Sequence, residues 1–331
     1  MKTYIFLASA IILLFSACST KEVFEPKKVA NDWEKYADIE DDIVDIASNA
    51  ALLGNGKILG RDGNVSIQID SEYQRVLGES DGWVLSATID GNLTVTSQKT
   101  PKLAKHFELK RTIATAGVKD NILAVLFANN EIALYDMDSK ELLFKEQGGK
   151  ALANDIRIVQ PYFMNDLVIF STLDGKIVIV NSKLKKRLRT VIVSSDDYFN
   201  NIIYFSIFGD KIIASSDSKI LALSQKEVRA KFEVRNIVHD DKNIFITTKQ
   251  GEIISLTPSL QVDSKVKFPF AHFLGMISDG DNLYVLEKEG YMIVVNKKTF
   301  DYTIHEVDLN DGLVFVGDKA FYVDNEKILI K

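Results

Sequence analysis

A hairpin pattern that recurs at intervals of roughly 37 residues constrains this chain more than any other feature. Each copy has a short apolar run, a turn containing Asp, Asn or Gly, and a second apolar run. Such turn residues supply the positive φ that tight hairpins need, and Val, Ile, Leu, Phe and Tyr in the flanking runs are typical of strands. The equivalent turn positions are residues 63, 91, 130, 175, 218, 251, 290 and 325.

Eight such copies predict an all-β fold, most simply a single β-propeller with eight four-stranded blades. The first interval, from residue 63 to residue 91, is short for four strands, so seven blades remain an alternative. No convincing amphipathic helix occurs outside residues 29–48. The last copy has only three strands, and we expect a strand within residues 22–38 to complete it, because an open edge favours aggregation.

The N-terminal residues resemble a bacterial lipoprotein signal. Residues 4–15 form an apolar run that is too short for a membrane span and suits a signal-peptide core. Ser16-Ala17-Cys18 follows and resembles a lipobox, although Phe15 stands where Leu is preferred. The resemblance implies cleavage before Cys18, which would carry a diacylglyceryl group and an N-linked acyl chain such as palmitate. A plain secretory signal is the alternative.

The predicted organisation is therefore a signal peptide (1–17), a lipid-anchored N-terminal segment with the closing strand (18–48), and the propeller (49–331). Several acyl chains anchor a protein stably to a membrane. Ser19 follows the cysteine, where Asp would imply retention in the inner membrane. The sequence therefore predicts an outer-membrane lipoprotein.

Several hairpins continue into a short signature, for which residues 132–144 are the clearest example and residues 177–184 and 292–300 are similar. These segments resemble degenerate pyrroloquinoline-quinone-type propeller repeats, with the Thr-Gly pair lost and Phe144 in place of Trp. Together with the lipobox, the pattern resembles the BamB family of outer-membrane assembly lipoproteins. The resemblance implies a monomeric, non-enzymatic scaffold on the periplasmic face, which binds the barrel-assembly protein and unfolded outer-membrane clients.

The same resemblance implies a partner-binding site. In that family a Leu-Arg pair shortly before a Pro contacts the barrel subunit, and here Ile156 and Arg157 precede Pro161. Two acidic residues contribute from the next inter-blade segment, where this chain has Asp196 and Asp197, although these are adjacent and spaced differently. The alternative interpretation is that all four are ordinary solvated loop residues.

Composition and motifs argue against other classes of function. The formal charge is −6, whereas a nucleic-acid binder needs a basic face. One Cys and two Trp do not suit an enzymatic quinoprotein, and no nucleophile or phosphate-loop motif is present. His239, His272 and His305 recur at 33-residue intervals, which indicates comparable places on successive blades rather than metal ligands. We therefore expect neither catalysis nor a cofactor nor a metal.

Two turns resemble the extended bacterial N-glycosylation sequon. Asn64 and Asn92 each follow Asp-Gly and precede Val-Ser or Leu-Thr, so both are possible acceptors at exposed hairpin tips. Asp-Gly-Asn is also the composition that a tight turn prefers.

The functional alternative to an assembly scaffold is a surface or periplasmic propeller that recognises a host protein or glycan. The sequence does not distinguish the two membrane orientations or the propeller face that binds.

Overall fold

Thirty-two strands make up the regular secondary structure of residues 22–70 and 73–330, the part of the chain that the computed structural model describes. The first half comprises β1 (Tyr36–Asp38), β2 (Ile43–Ile46), β3 (Ala50–Leu53), β4 (Lys57–Gly60), β5 (Val65–Gln68), β6 (Arg75–Ser80), β7 (Trp83–Ala87), β8 (Asn92–Ser97), β9 (Ala104–Glu108), β10 (Ile113–Lys119), β11 (Ile122–Phe127), β12 (Glu131–Asp136), β13 (Leu142–Gln147), β14 (Tyr162–Met164), β15 (Leu167–Ser171) and β16 (Lys176–Asn181). The second half comprises β17 (Lys186–Ile192), β18 (Tyr204–Phe208), β19 (Lys211–Ser215), β20 (Lys219–Leu223), β21 (Glu227–Lys231), β22 (Val234–His239), β23 (Ile244–Thr248), β24 (Glu252–Leu256), β25 (Val262–Lys267), β26 (Phe273–Asp279), β27 (Asn282–Glu287), β28 (Tyr291–Asn296), β29 (Tyr302–Glu306), β30 (Val314–Val316), β31 (Ala320–Val323) and β32 (Glu326–Leu329).

These strands form eight four-stranded antiparallel sheets, the blades of a β-propeller. Blade 1 is β2–β5, blades 2 to 7 take the next strands in groups of four, and blade 8 is β30–β32 with β1. The all-β, eight-bladed prediction is confirmed, and the seven-bladed alternative is wrong. Residues 29–48 contain β1 and β2 and no helix.

The core lies between the blades. Eight clusters of buried apolar side chains each join two neighbouring blades, including the pair formed by blades 8 and 1 that closes the ring. Strand β11 illustrates the pattern, because Leu123 and Val125 pack towards blade 2 while Ala124 and Leu126 pack towards blade 4. Strands covered on both faces read as continuous apolar runs, as these do.

One backbone hydrogen bond recurs in every blade and identifies the equivalent repeat positions. The residue after the outermost strand donates its N–H to the carbonyl of the turn between the second and third strands. The eight pairs are Ile69 to Gly56, Leu109 to Gly91, Gly148 to Asn130, Val193 to Gly175, Phe232 to Ser218, Phe268 to Gly251, Val307 to Gly290 and Ile39 to Asn325.

Seven of the eight predicted turn positions are therefore correct, and the first is wrong. Gly56 is the equivalent residue in blade 1, whereas Gly63 lies between β4 and β5. Blade 1 has glycine in two successive turns, so the sequence pattern matched the later one. With Gly56 the first interval becomes 35 residues, which removes the reason for considering seven blades.

In blades 2 and 3 this recurrent contact is tight enough to require a glycine on one side. Gly91 has φ +86°, and a Cβ there would overlap the backbone of Arg111. In blade 3 the arrangement is reversed, because the turn residue is Asn130, with φ +64°, and the opposing residue is Gly148. A Cβ on Gly148 would lie 2.5 Å from the carbonyl oxygen of Asn130.

The N-terminal segment closes the ring as expected. Strand β1 pairs antiparallel with β32, with Tyr36 opposite Ile328. The indole Nε1 of Trp33 donates to the carbonyl of Leu329 at 2.9 Å, which adds a side-chain bond to the closure. Further upstream, Phe24 is buried at the edge of blades 6 and 7, with its ring 5.9 Å from that of Phe268.

Two boundaries bear on the predicted organisation. Strand β2 lies within residues 18–48, so the first blade takes in part of the range assigned to the N-terminal segment. Cys18 and the predicted signal peptide lie outside the described residues. Across residues 22–70 and 73–330, no helix has the length and apolar character needed to span a membrane.

Candidate functional site

The topology divides the loops between two faces of the ring. In an up-and-down blade, the turn between the second and third strands lies at the same end as the connection to the next blade. We call this end the crossover face. The recurrent bond described above joins the two kinds of loop on this face in every blade.

Exposed apolar side chains are concentrated on the crossover face. Among the described loop residues, only Leu103 and Leu184 on the opposite face are large, apolar and more than 40% exposed. The crossover face has eight such side chains, Tyr73, Ile89, Leu152, Ile156, Tyr198, Phe199, Phe270 and Leu313. Clustered exposed apolar surface is typical of protein-interaction sites.

Two crossover connections are bonded to each other and form the candidate site. The first (148–161) joins blades 3 and 4, and the second (193–203) joins blades 4 and 5. The N–H of Phe199 donates to the carbonyl of Ala153 at 2.8 Å. The buried Asn201 accepts from the N–H of Asp155 at 2.7 Å and donates to the carbonyl of Arg157 at 3.0 Å. These bonds fix one connection against the other.

The linked connections present four exposed apolar side chains, which we call the apolar ridge (Leu152, Ile156, Tyr198 and Phe199). Ile156 is 94% exposed, more than any other large apolar side chain in residues 22–70 and 73–330. Phe199 is 53% exposed and has φ +50°, a conformation that non-glycine residues rarely adopt. The sheets beneath hold this surface in place.

The four residues predicted to bind a partner all lie on these two connections, but their side chains point differently. Ile156 faces solvent, whereas Arg157 is turned into the protein. Its guanidinium pairs with Asp155, approaches Asp217 at 3.6 Å and donates to the carbonyl of Arg235. Burial opposes ionisation of Asp155, but the hydrogen bonds and charge of Arg157 outweigh it and lower the pKa of that carboxyl.

The two acidic residues also differ. Both are exposed, but Asp196 accepts hydrogen bonds from Lys219 at 2.7 Å and from the hydroxyls of Ser218 and Ser194. The Lys219 and Ser218 bonds lower the pKa of Asp196 to about 2. Asp196 therefore ties the second connection to blade 5, and Asp197 is the acidic group of the pair whose side chain has no such bond among the described residues.

This bonding predicts that acid weakens the second connection, because protonation of Asp196 breaks its ion pair with Lys219. The folded pKa of Asp196 lies below its ordinary value of about 3.9. The ion pair with Lys219 therefore contributes its full share of folding stability above that pH. The contribution is lost as the pH falls from about 4 towards 2. A carboxyl ¹³C NMR titration should show Asp196 titrating near pH 2, and Lys219→Met should raise that pKa. An unchanged pKa in the variant would contradict the assignment.

The first connection also spans the mouth of the central channel. The Gln160 amide donates to the carbonyls of Leu77 in blade 2 and Ala116 in blade 3, both at 3.0 Å. Arg157, three residues earlier, bonds Arg235 in blade 6. Blades 2 and 6 are opposite in an eight-bladed ring, so residues 157–160 of the first connection are bonded to both sides of the ring.

The remaining sequence candidates lie elsewhere. Asn64 is exposed, but its amide donates to Asp62 at 2.6 Å, while Asn92 is the first residue of β8. The predicted equivalence of the histidines is wrong, since His239 ends an inner strand, His272 lies in a connection and His305 is in an outer strand. In the described part of the chain, no three His, Cys, Asp or Glu side chains converge as a metal site would require.

Sequence reasoning missed three of the four ridge residues. Tyr198 and Phe199 stand between Asp196-Asp197 and Asn200-Asn201, where apolar residues are unusual, and that contrast is the signal that could have identified them. Leu152 lies in a more apolar segment, and no such contrast marks it. A single chain without aligned relatives does not reveal that two connections are bonded together.

Comparison with known proteins finds relatives in sequence and solved structures with the same fold. No family model matches the chain. The chain is 28% identical to the plasminogen-binding protein PgbB of Helicobacter pylori strain J99, over 99% of its own length and 70% of the relative. It is 27% identical to PgbB of strain 26695, over 99% and 69% of the two lengths.

Solved structures with the same fold include BamB from Moraxella catarrhalis, with a TM-score of 0.69 and 13% identity over 90% of this chain and 98% of that one. The C-terminal WD40 domain of Sif2 gives a TM-score of 0.66 at 11% identity, over 92% and 100%. The predicted BamB-like propeller fold is confirmed. At these identities the structural likeness extends to the fold alone.

Proposed function

We propose that this chain is a protein-binding propeller that holds its partner on the crossover face, and that its partner is plasminogen. The observation that carries the proposal is the apolar ridge, and above all Ile156, which is 94% exposed on a connection bonded to blades 2 and 6. Binding rather than catalysis is the role proposed for this site.

The ridge has the physical features of an interface core. Aromatic and large apolar anchors contribute most of the binding energy at protein interfaces, and they bind best when they are held rigidly before contact. Tyr198 and Phe199 supply aromatic area, and Asp197 supplies a polar edge. Rigidity comes from the Asn201 bonds and from the sheets below.

Plasminogen is proposed because the two PgbB relatives carry that function in their names and align with 99% of this chain. The aligned region therefore includes both connections. The relatives extend beyond it, so the aligned propeller has to be tested by itself.

The test is a binding measurement with the full chain in mild detergent. Biolayer interferometry with immobilised plasminogen should give saturable binding with Kd in the micromolar range or tighter, with serum albumin as the negative surface. Absence of saturable binding up to a chain concentration of about 50 μM would exclude plasminogen as the partner.

A second candidate is the scaffold role in outer-membrane β-barrel assembly. It is favoured by the position of Ile156, Arg157, Asp196 and Asp197, which lie on two bonded connections of one face. A photo-crosslinking amino acid at Ile156 in growing cells should then recover a large barrel-assembly protein. Recovery of such a protein without plasminogen binding in vitro would favour this second candidate.

We further propose that Cys18 is lipidated and anchors the chain to the outer membrane, because residues 4–18 resemble a lipoprotein signal. Intact mass measurement of the purified chain should find the acyl chains, and Cys18→Ala should release the protein into the soluble fraction. Proteolysis of intact cells would distinguish the surface orientation that plasminogen binding needs from the periplasmic one.

A further inference from the structure

A second feature of the crossover face is a cavity of about 540 Å³ between blades 6 and 7. Its walls come from the start of β22, the turn after β23, the end of β25 and the connection 268–272. Three of the ten lining residues are permanent cations, and none is acidic. The lining residues are Arg235, Thr248, Lys249, Gln250, Lys267, Pro269, Phe270, Ala271, His272 and Phe273.

The cations are incompletely neutralised. Lys249 pairs with Asp217 at 2.6 Å, but neither Arg235 nor Lys267 has an ion pair within the described residues. The Arg235 guanidinium donates from Nε to the carbonyl of Phe273 at 3.3 Å. Burial and the nearby positive charge of Arg157 lower the pKa of Arg235, with partial compensation by Asp155 and Asp217. A desolvated cation beside a like charge favours the arrival of an anion.

The cavity adjoins a groove of mixed character, whose apolar walls are accompanied by Glu22, Glu25, Lys27 and Lys28. Residues 22–30 lie along blades 6 and 7 and leave a space of about 1010 Å³, whose walls include Val23, Pro26 and Tyr302. Lys267, Pro269 and Phe270 line both spaces. Phe270 is 58% exposed and has φ +64°, so an aromatic ring is held outward at their junction by an unusual backbone conformation.

We infer that this cavity is a carboxylate-binding site, which takes an acidic side chain from a bound protein while an apolar neighbour of that side chain packs on Phe270 and the groove. Arg235 and Lys267 supply charge, and Thr248 supplies a hydroxyl at the wall, while the Gln250 amide donates to the carboxylate of Glu233. That a partner protein uses this site rests on the proposed function. That the site binds carboxylates does not rest on it, because small carboxylates can test this property separately.

The probes are phenylacetate, which combines one carboxylate with one ring, and phenylacetamide, which has the same shape without the charge. Titration of the full chain, followed by NMR shifts of residues 268–272, should give a millimolar Kd for phenylacetate and at least tenfold weaker binding of the amide. Equal affinities would overturn the inference. Inorganic phosphate is the third probe, and tighter binding of phosphate at the same residues would also overturn it.

Two variants locate the binding. Lys267→Gln should weaken phenylacetate binding at least fivefold, because it removes one of the cavity's positive charges. Within residues 22–70 and 73–330 Lys267 has no ion pair, so the change should leave the fold intact. Lys265→Gln is the matched control, since Lys265 lies on the same strand, 61% exposed, and pairs with Glu252 outside the cavity. Equal affinities in the two variants would contradict the assignment.

The same variants separate this inference from the proposed function. If Lys267→Gln loses phenylacetate but plasminogen never binds, the carboxylate site stands and the proposed partner fails. If plasminogen binds while phenylacetate and phenylacetamide bind alike, the partner stands and the carboxylate site fails.

Discussion

Ile156→Asp is expected to weaken plasminogen binding at least 30-fold, about 2 kcal/mol, while leaving the free energy of unfolding within about 0.5 kcal/mol of the parent. The side chain is 94% exposed, so its replacement removes no intramolecular packing. In the complex, however, an aspartate would carry an unpaired charge into the apolar contact. Interferometry for affinity and urea denaturation for stability measure the two effects separately.

Leu184→Asp is the matched control for this prediction. Leu184 is 60% exposed in a turn of blade 4 on the opposite face, so the substitution makes the same chemical change away from the ridge. Its affinity should stay within twofold of the parent. If Leu184→Asp lost binding and Ile156→Asp kept it, the opposite face would be the binding surface.

Gly91→Ala is expected to lower the free energy of unfolding by roughly 3 kcal/mol. About 1–2 kcal/mol comes from holding alanine at the positive φ of this turn. The rest comes from the overlap between the new Cβ and the backbone of Arg111. The Arg111 backbone must shift to relieve this overlap, and the shift weakens the hydrogen bond from Leu109 to Gly91. Urea unfolding followed by circular dichroism measures the loss.

Gly82→Ala distinguishes the two contributions. Gly82 has a similar φ of +78°, but a Cβ there would have no atom within 4 Å. Gly82→Ala should therefore lower the free energy of unfolding by the conformational contribution alone, about 1–2 kcal/mol. Equal losses in the two variants would mean that the contact with the following connection does not constrain the turn.

Much of the fold could be predicted from the sequence because the blade is a local unit. Each blade hairpin has its own apolar runs and turn residues, so the repeat is visible without knowledge of distant contacts. The one misplaced position, Gly63 instead of Gly56, arose because both turns of blade 1 contain glycine. A backbone bond from Ile69 distinguishes them, and no local pattern encodes that bond.

The candidate site could be predicted only in outline. The resemblance led to the correct pair of connections, but not to the direction in which Arg157 and Asp196 point. Their orientations depend on Asp217, Lys219 and Arg235, which come from other blades. The cavity of Arg235 and Lys267 was missed for a related reason, because its cations lie on separate strands and turns of blade 6 and meet only when that sheet forms.

The pairing of Tyr36 with Ile328 makes completion of the ring the most non-local event in folding. Contacts between residues so far apart in sequence form slowly, because the chain loses much entropy before the contact stabilises anything. Until β1 meets β32, the outer edge of β32 is unpaired, and such an edge recruits strands from other chains. The folding yield should therefore fall as the concentration of refolding chains rises, even when the stability of the completed ring is unchanged.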